Sequence, residues 1–519
     1  MKPTLPIRRL AAALLLLALA LAGPASAATI TWTGGNGTWI DSTKWSPQQV
    51  PGAGDTAVIS GTQTMTIVVT GTRSVDTLVL ANSNATLRVE ANGSVGGATL
   101  NVAQGVENRG TIELTSTNGN SWTAALSVTG GALTNAVGGV IRSVLGAGGT
   151  RTLSAALDNR GTLEVQHDLI LNGNVANSGT VEASAGTLSL NVFVQTQGSL
   201  VLGGGRVNAS SPLQLRGGVL SGTNTITGSV TNSAVIRPGM AGGAAPGRLL
   251  INGTYTQTSS GALDIQLGGL LPGAQHDTLA VSGTANLGGV LNVSLLGNYQ
   301  PAAGNEFNVL AATTRSGLFA QFNAPSGEPQ LALVGTNNLV LLRAVNGPPA
   351  YSDLQVTALG VTAPLLAAGQ TLTLAWRDTN SGNAVIASPW TDQVTISNAT
   401  TRVVLLNTTL AYDPITQGPL APGGSVLRSA TFRLPDGTNG AGSIRVSVRA
   451  DALNQIFEFN SAFNAETNNQ AELAVVSAST DYPDLVVTNV SGPATGLPGQ
   501  SVPVVWTVRN LGPAAAAGY

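Results

Sequence analysis

From about residue 61 to 345 the chain alternates polar and apolar residues in short runs that Gly or Asn brings to a stop. Thr66-Ile67-Val68-Val69, Thr86-Leu87-Arg88-Val89, Thr162-Leu163-Glu164-Val165 and Leu188-Ser189-Leu190-Asn191-Val192 are typical. A period of two in β-branched residues predicts short strands with one buried face, and no long helical periodicity competes with it. A turn-plus-strand unit recurs. It reads Asn108-Arg109-Gly110-Thr111-Ile112, then Asn159-Arg160-Gly161-Thr162-Leu163, then Asn177-Ser178-Gly179-Thr180-Val181. Weaker copies run from Asn135 to Ile141, over Thr196-Gln197-Gly198-Ser199-Leu200, and over Asn232-Ser233-Ala234-Val235-Ile236. Most copies lie roughly 18 to 27 residues apart, the length one coil of a parallel solenoid needs for two or three strands and their turns.

These patterns predict an all-β chain whose residues 61–345 form a right-handed parallel β-helix. About a dozen coils stacked at ~4.8 Å would make a rod of roughly 55 Å. Asn and Gly both tolerate left-handed corners, and Asn side chains at equivalent corners can hydrogen-bond from coil to coil. A large antiparallel sandwich or propeller is the competing architecture, which the irregular repeat length disfavours.

Texture changes after Asn346-Gly347-Pro348-Pro349, which reads as a linker. Beyond it a segment occurs twice. Asp353-Leu354-Gln355-Val356 matches Asp484-Leu485-Val486-Val487, while Gly369-Gln370, Trp376, Asn380 and Gly382 match Gly499-Gln500, Trp506, Asn510 and Gly512. Strand, turn, Trp-bearing strand and Asn-x-Gly corner in that order describe the start of an immunoglobulin-like sandwich with the Trp in its core. The expected organisation is therefore a leader at 1–27, a Trp/Gly-rich cap at 28–60, the solenoid at 61–345, a complete sandwich at 350–478 and a truncated second copy at 482–519.

The leader changes where the chain is expected to work. Lys2, Arg8 and Arg9 precede an apolar run from Leu10 to Ala22, and Gly23-Pro24 and Ala25-Ser26-Ala27 follow. That is the pattern of a secretory signal peptide cleaved before Ala28. The run is too short to cross a ~30 Å hydrocarbon core, and no later segment is apolar for long enough, so the mature chain is expected to lack a membrane-spanning segment. Cysteine is absent, which excludes thiol nucleophiles, thiolate zinc sites and disulfides. Charged residues make up only 9% of the chain and the net charge is -2, which argues against nucleic acid as a partner.

Two resemblances add to this reading. Trp32-Thr33-Gly34-Gly35-Asn36-Gly37-Thr38-Trp39, followed by Trp45, Pro51 and Gly54-Asp55, resembles the opening of autotransporter passenger domains. Gly261-Ala262-Leu263-Asp264-Ile265 through His276-Asp277-Thr278-Leu279 and Leu287-Gly288-Gly289 to Phe319 resembles their last coils. That resemblance implies that the tryptophans plug the open end of the solenoid. The duplicated segment, continued through Trp390-Thr391-Asp392, Leu434-Pro435 and Asp451 to Glu458, is similar to CARDB, a cell-adhesion-related module of bacteria. It implies a secreted or cell-surface protein that binds an extracellular surface, glycan or protein ligand.

Candidate chemistry is sparse. Glu113, Glu164 and Glu182 each stand two residues after the repeat's Thr and should share one face of the solenoid. Such a stripe could serve a carbohydrate-binding or carbohydrate-cleaving protein, although a solvated strand face is the simpler explanation. His167 and His276 lie too far apart in the solenoid to share a metal. Asp451, Asn454 and Glu458, with Asn460 nearby and Asn464, Asn468 and Asn469 beyond, form an oxygen-donor cluster that suits calcium. No catalytic residue or other cofactor is expected.

Overall fold

A computed structural model describes residues 27–517 apart from 120, 244, 348, 363–365, 461 and 463. The expected leader therefore lies outside the described residues except for Ala27. Two compact units part between Pro349 and Ala350.

The first unit is a parallel solenoid. Thirteen short strands, from Gly37–Thr38 to Gln321–Asn323, pair in parallel into one sheet. A second sheet carries the longer strands, such as Ala98–Asn108, Ala124–Asn135, Arg151–Asn159 and Leu169–Asn177, also paired in parallel. Several of these long strands shift register near their middle, between Ser127 and Ala132 and between Leu171 and Asn174. A bulge bends the strand that carries it, so one long strand serves two sides of a coil. Further along, the same two sides are separate strands, Arg206–Ala209 and Leu213–Leu215.

Alternation places one residue type per column. Ile67, Leu87, Ile112, Ile141, Leu163, Val181, Leu200, Leu220, Ile236, Leu263 and Leu291 are register partners in turn, and all are buried. Each such side chain contributes about 1.5–3 kcal/mol relative to exposure. Coil length varies around this constant core. Corner partners lie 18 residues apart between Asn159 and Asn177, but 30 apart between Asn252 and Ser282.

Corners explain the Asn-x-Gly repeat. Asn108, Asn135, Asn159 and Asn177 are buried and linked in series, each Nδ2 donating to the next side-chain oxygen at 2.7, 2.7 and 2.8 Å. The nitrogens of Asn108, Asn135 and Asn159 also donate to backbone oxygens of Val140, Thr162 and Thr180. Asn177 passes the series to Gln195 at 3.2 Å. A Cβ on Gly179 would sit 2.1 Å from the Gly161 carbonyl oxygen, so the stacked corner admits only glycine there. The Asn232 copy joins another short network, donating to Tyr255, whose hydroxyl donates to Gln257.

In the longer-stranded sheet both ends of the stack close with antiparallel pairs. At the first, Thr29–Trp32 pairs with Trp45–Ser46. Trp32 and Trp39 meet Trp45 edge-on at 4.9 and 4.8 Å, and all three are buried. At the other, Glu306–Gly317 pairs with Leu339–Val345, which pairs in turn with Gln330–Gly335.

The second unit holds a sandwich. Leu354–Val361, Thr371–Asn380 and Ser425–Arg433 make one sheet; Leu366–Ala367, Gln470–Ala478, Gly442–Arg449, Trp390–Asn398 and Val403–Tyr412 make the other. Trp376 and Trp390 are fully buried among Leu354, Leu374, Ile396 and Val446. The Asn-x-Gly corner is built identically in both copies. Asn380 Oδ1 accepts from Gly382 and Asp353 amides, and Asn510 Oδ1 accepts from Gly512 and Asp484 amides. A Cβ on either glycine would lie 2.2 Å from a tyrosine carbonyl oxygen, that of Tyr351 or Tyr482. In the second copy Leu485–Ser491 and Val505–Asn510 pair with each other, and Trp506 is 60% exposed.

Candidate functional site

The outward face of the thirteen-stranded sheet carries the expected glutamate stripe, but it is not a run of acids. Arg88, Glu113, Arg142, Glu164 and Glu182 are successive register partners. Arg88 Nε reaches Glu113 at 2.8 Å, and Arg142 reaches Glu113 at 3.7 Å and Glu164 at 3.4 Å. The column continues through Val201 and Ser221 to Arg237, Asp264, Asn292 and Asn323. There Arg237 pairs with Asp264 at 2.6 Å, Asn292 donates to Asp264, and Asn323 donates to Asn292. Three arginines, Arg88, Arg142 and Arg237, thus stand among the acids of this column. The Asn135 copy of the repeat contained the signal, because Arg142 stands one residue beyond its end.

Shallow polar grooves flank this and the neighbouring face. One of about 170 Å³ is lined by Asn172, Ser189, Asn191, Asn208 and Ser210 around Ile170. Another of about 250 Å³ lies over Arg237, Asp264, Gln266 and Asn292.

His276 and Asp277 do structural work. His276 is buried, with its ring nitrogens 3.0 Å from the Gly269 carbonyl and 3.3 Å from that of Asn308. Burial lowers its pKa. Asp277 accepts from the amides of Gly247 and Gln266, both at 2.8 Å, while burial pushes its carboxyl up to about 7. His167 sits beside the strand Thr162–Val165, several coils away, and its carbonyl accepts from Ser143.

Inside the sandwich, Arg428 lies between two fully buried carboxylates, 3.0 Å from Asp392 and 3.5 Å from Asp378. Indole N–H groups of Trp376 and Trp390 donate to Asp378 at 3.0 and 3.4 Å. Tyr412 stacks on Trp390 at 4.0 Å, and Arg428 lies over the Tyr412 ring. Two carboxylates share one guanidinium. Burial raises Asp378, and the neighbouring Asp392 charge raises it further; burial also raises Asp392.

Each residue of the expected calcium set has other partners. Asp451, at φ 43°, uses its two oxygens to accept from the Gln455 and Ile456 amides at 2.7 and 2.8 Å, and so caps its own turn. Asn454 accepts from Arg449 at 3.4 Å. Glu458 is buried, accepting from the Leu354 amide and from Asn469 Nδ2. Burial pushes its carboxyl up to about 9. Among the described residues no three His, Cys, Asp or Glu side chains converge to hold a metal by themselves. No described helix is long and apolar enough to cross a membrane.

No family model and no curated protein matches the chain. Solved structures do resemble part of it. The CARDB domain of a Pyrococcus furiosus protein, crystallised in complex with di-metal ions, is similar at 16% identity over 26% of this chain and 100% of that one, with a TM-score of 0.19. The solution structure of that domain gives 19% identity over 25% and 98%, with a TM-score of 0.18. An alkylpurine DNA glycosylase of Pseudomonas fluorescens, bound to DNA containing an abasic site analog, gives 16% identity over 24% of this chain and 30% of that one, with a TM-score of 0.17.

Proposed function

We propose that the chain is an exported, cell-surface-associated bacterial protein that binds extracellular surfaces, glycans or proteins and performs no catalysis. The observation that carries this reading is the interleaved column. Along the column Arg88 and Arg142 neutralise Glu113 and Glu164, which leaves a broad, regular polar face. A sandwich with its tryptophans in the core and the CARDB-like motif from Asp353 to Glu458 supports the adhesive part. The run from Leu10 to Ala22 supports export.

The test is binding of the purified mature chain to a glycan array and to whole cells, with soluble sugar release followed in parallel. Saturable binding without sugar release is expected. A second reading, cleavage of a polysaccharide, is favoured by the register pairing of Glu164 with Glu182 on adjacent coils. Hydrolysis that disappears in Glu164→Gln or Glu182→Gln would replace the adhesive reading with that one.

A further inference from the structure

On the outward face of the thirteen-stranded sheet, two neighbouring coils place four polar residues in a square. Asp264 and Gln266 on Ala262–Leu267 are register partners of Asn292 and Ser294 on Val290–Leu295. Alternation sends all four to the side away from the core, on strands ~4.8 Å apart. Arg237 comes from the coil before, and Gly243 from the turn at Ala241–Gly243. These six residues line one cavity of about 250 Å³. The turn's backbone lies close over the strand, since a Cβ on Gly243 would sit 2.8 Å from Gln266 Nε2.

The cavity wall is neutral but keeps hydrogen-bonding capacity of both kinds. Arg237 and Asp264 cancel each other's charge at 2.6 Å. The other oxygen of Asp264 accepts from Asn292 Nδ2 at 2.8 Å, which leaves each carboxylate oxygen a further lone pair and Asn292 a second N–H. Gln266 Oε1 is buried and, among the described residues, without a hydrogen-bond partner. A buried acceptor in that state is unfavourable, and a ligand O–H would relieve it. Ser294 is exposed and offers a hydroxyl beside it. A ligand hydroxyl both donates and accepts, so it fits an acceptor that stands next to a donor. Asp264 with Asn292, and Gln266 with Ser294, are two such pairs. An anion would meet the charge of Asp264 and a cation that of Arg237, so the ligand that fits is an uncharged polyol.

We propose that this cavity binds one ring of a neutral glycan, whose hydroxyls donate to Asp264 and Gln266 Oε1 and accept from Asn292 and Ser294. Its volume falls below the ~300–1,000 Å³ of sites that enclose drug-sized molecules, so neighbouring sugars lie along the open face. The assignment rests on the adhesive reading and names its ligand class.

The experiment is an array of neutral, sialylated and sulfated glycans probed with the purified mature chain. Binding to whole cells is measured alongside, and circular dichroism checks the folding of each variant. Neutral glycans should be bound. Ser294→Leu, which fills the cavity from an exposed strand position, should weaken that binding by more than about tenfold. Gln266→Ala should weaken it by about two- to tenfold, the loss of one neutral hydrogen bond, and decides the matter if Ser294→Leu does not fold. A folded Ser294→Leu or Gln266→Ala chain that binds neutral glycans as tightly as wild type overturns the proposal. So does wild-type binding confined to charged glycans, or cell binding with no glycan bound, and either result leaves the adhesive reading standing. A chain that binds neither glycans nor cells overturns both.

Discussion

The solenoid and the sandwich bury polar groups in different ways. In the solenoid the buried series from Asn108 to Gln195 is neutral, and each amide answers the one in the next coil. Two of its buried charges are answered by backbone: Arg151 donates to the carbonyls of Val144, Gly148 and Gly149, and Asp277 accepts from two amides. In the sandwich, buried charge faces buried charge, with Arg428 between Asp378 and Asp392. A repeated neutral ladder spreads its cost over many coils, whereas a single ionic cluster concentrates it at one point. The sandwich should therefore respond sharply to single changes and to pH, and the solenoid only locally.

Arg428→Met tests the concentrated case. It strands two carboxylates in the core and should cost the sandwich about 3–5 kcal/mol. Hydrogen exchange followed peptide by peptide should show protection lost across residues 354–478 and kept in the solenoid. Asn159→Ala tests the distributed case. It removes the donor to Asn177 Oδ1 and Thr180 O, for a cost of about 2–3 kcal/mol. Exchange should rise only in the coils on either side, and a change spread over the whole solenoid would break the comparison.

Proton linkage comes next in size. The groups facing Asp378 are Asp392, Arg428, Trp376, Trp390 and Tyr412. Its folded pKa, raised to about 8, means the native state holds a proton that the unfolded chain releases from about pH 4 upward. Stability from this group is complete below the unfolded pKa and falls as pH rises toward 8, by up to about 1.4 kcal/mol per pH unit for each proton. Asp451 and Glu458 act with the same sign. The melting difference between wild type and Asp378→Asn isolates the one proton, and it should narrow as pH rises from 5 to 8. The smallest effect belongs to the outer column: Arg142→Gln should cost under about 1 kcal/mol and shrink further in salt. A larger loss would mean that the column holds the coils together and does more than neutralise its acids.

Much of the solenoid was legible because its corners reuse one residue pair. Asn108, Asn159 and Asn177 are each followed two residues later by a glycine that the stacking demands. Gln195 continues the Asn series with a different side chain and a turn one residue longer, so the repeat pattern points to Thr196 instead. The duplicated sandwich was visible through Trp376 and Asn380 because core and corner tolerate little change. The partners of the expected oxygen donors were not legible from their spacing. Asp451 and Asn454 are near Glu458 in sequence, but a tight turn consumes them, and Asp353 enters from more than a hundred residues away. Arg428 between its two aspartates had no local signature either, since the three stand on separate strands.

The closed ends of the stack have a consequence for the chain in company. A parallel coil presents the same row of amides and carbonyls on its last strand as on every other, so an open end is a template on which another molecule can continue the ladder. The antiparallel turn-backs at Trp45–Ser46 and Leu339–Val345 occupy that template with the protein's own backbone. In that sheet a ladder with the spacing of a cross-β fibre ends on strands of the opposite direction.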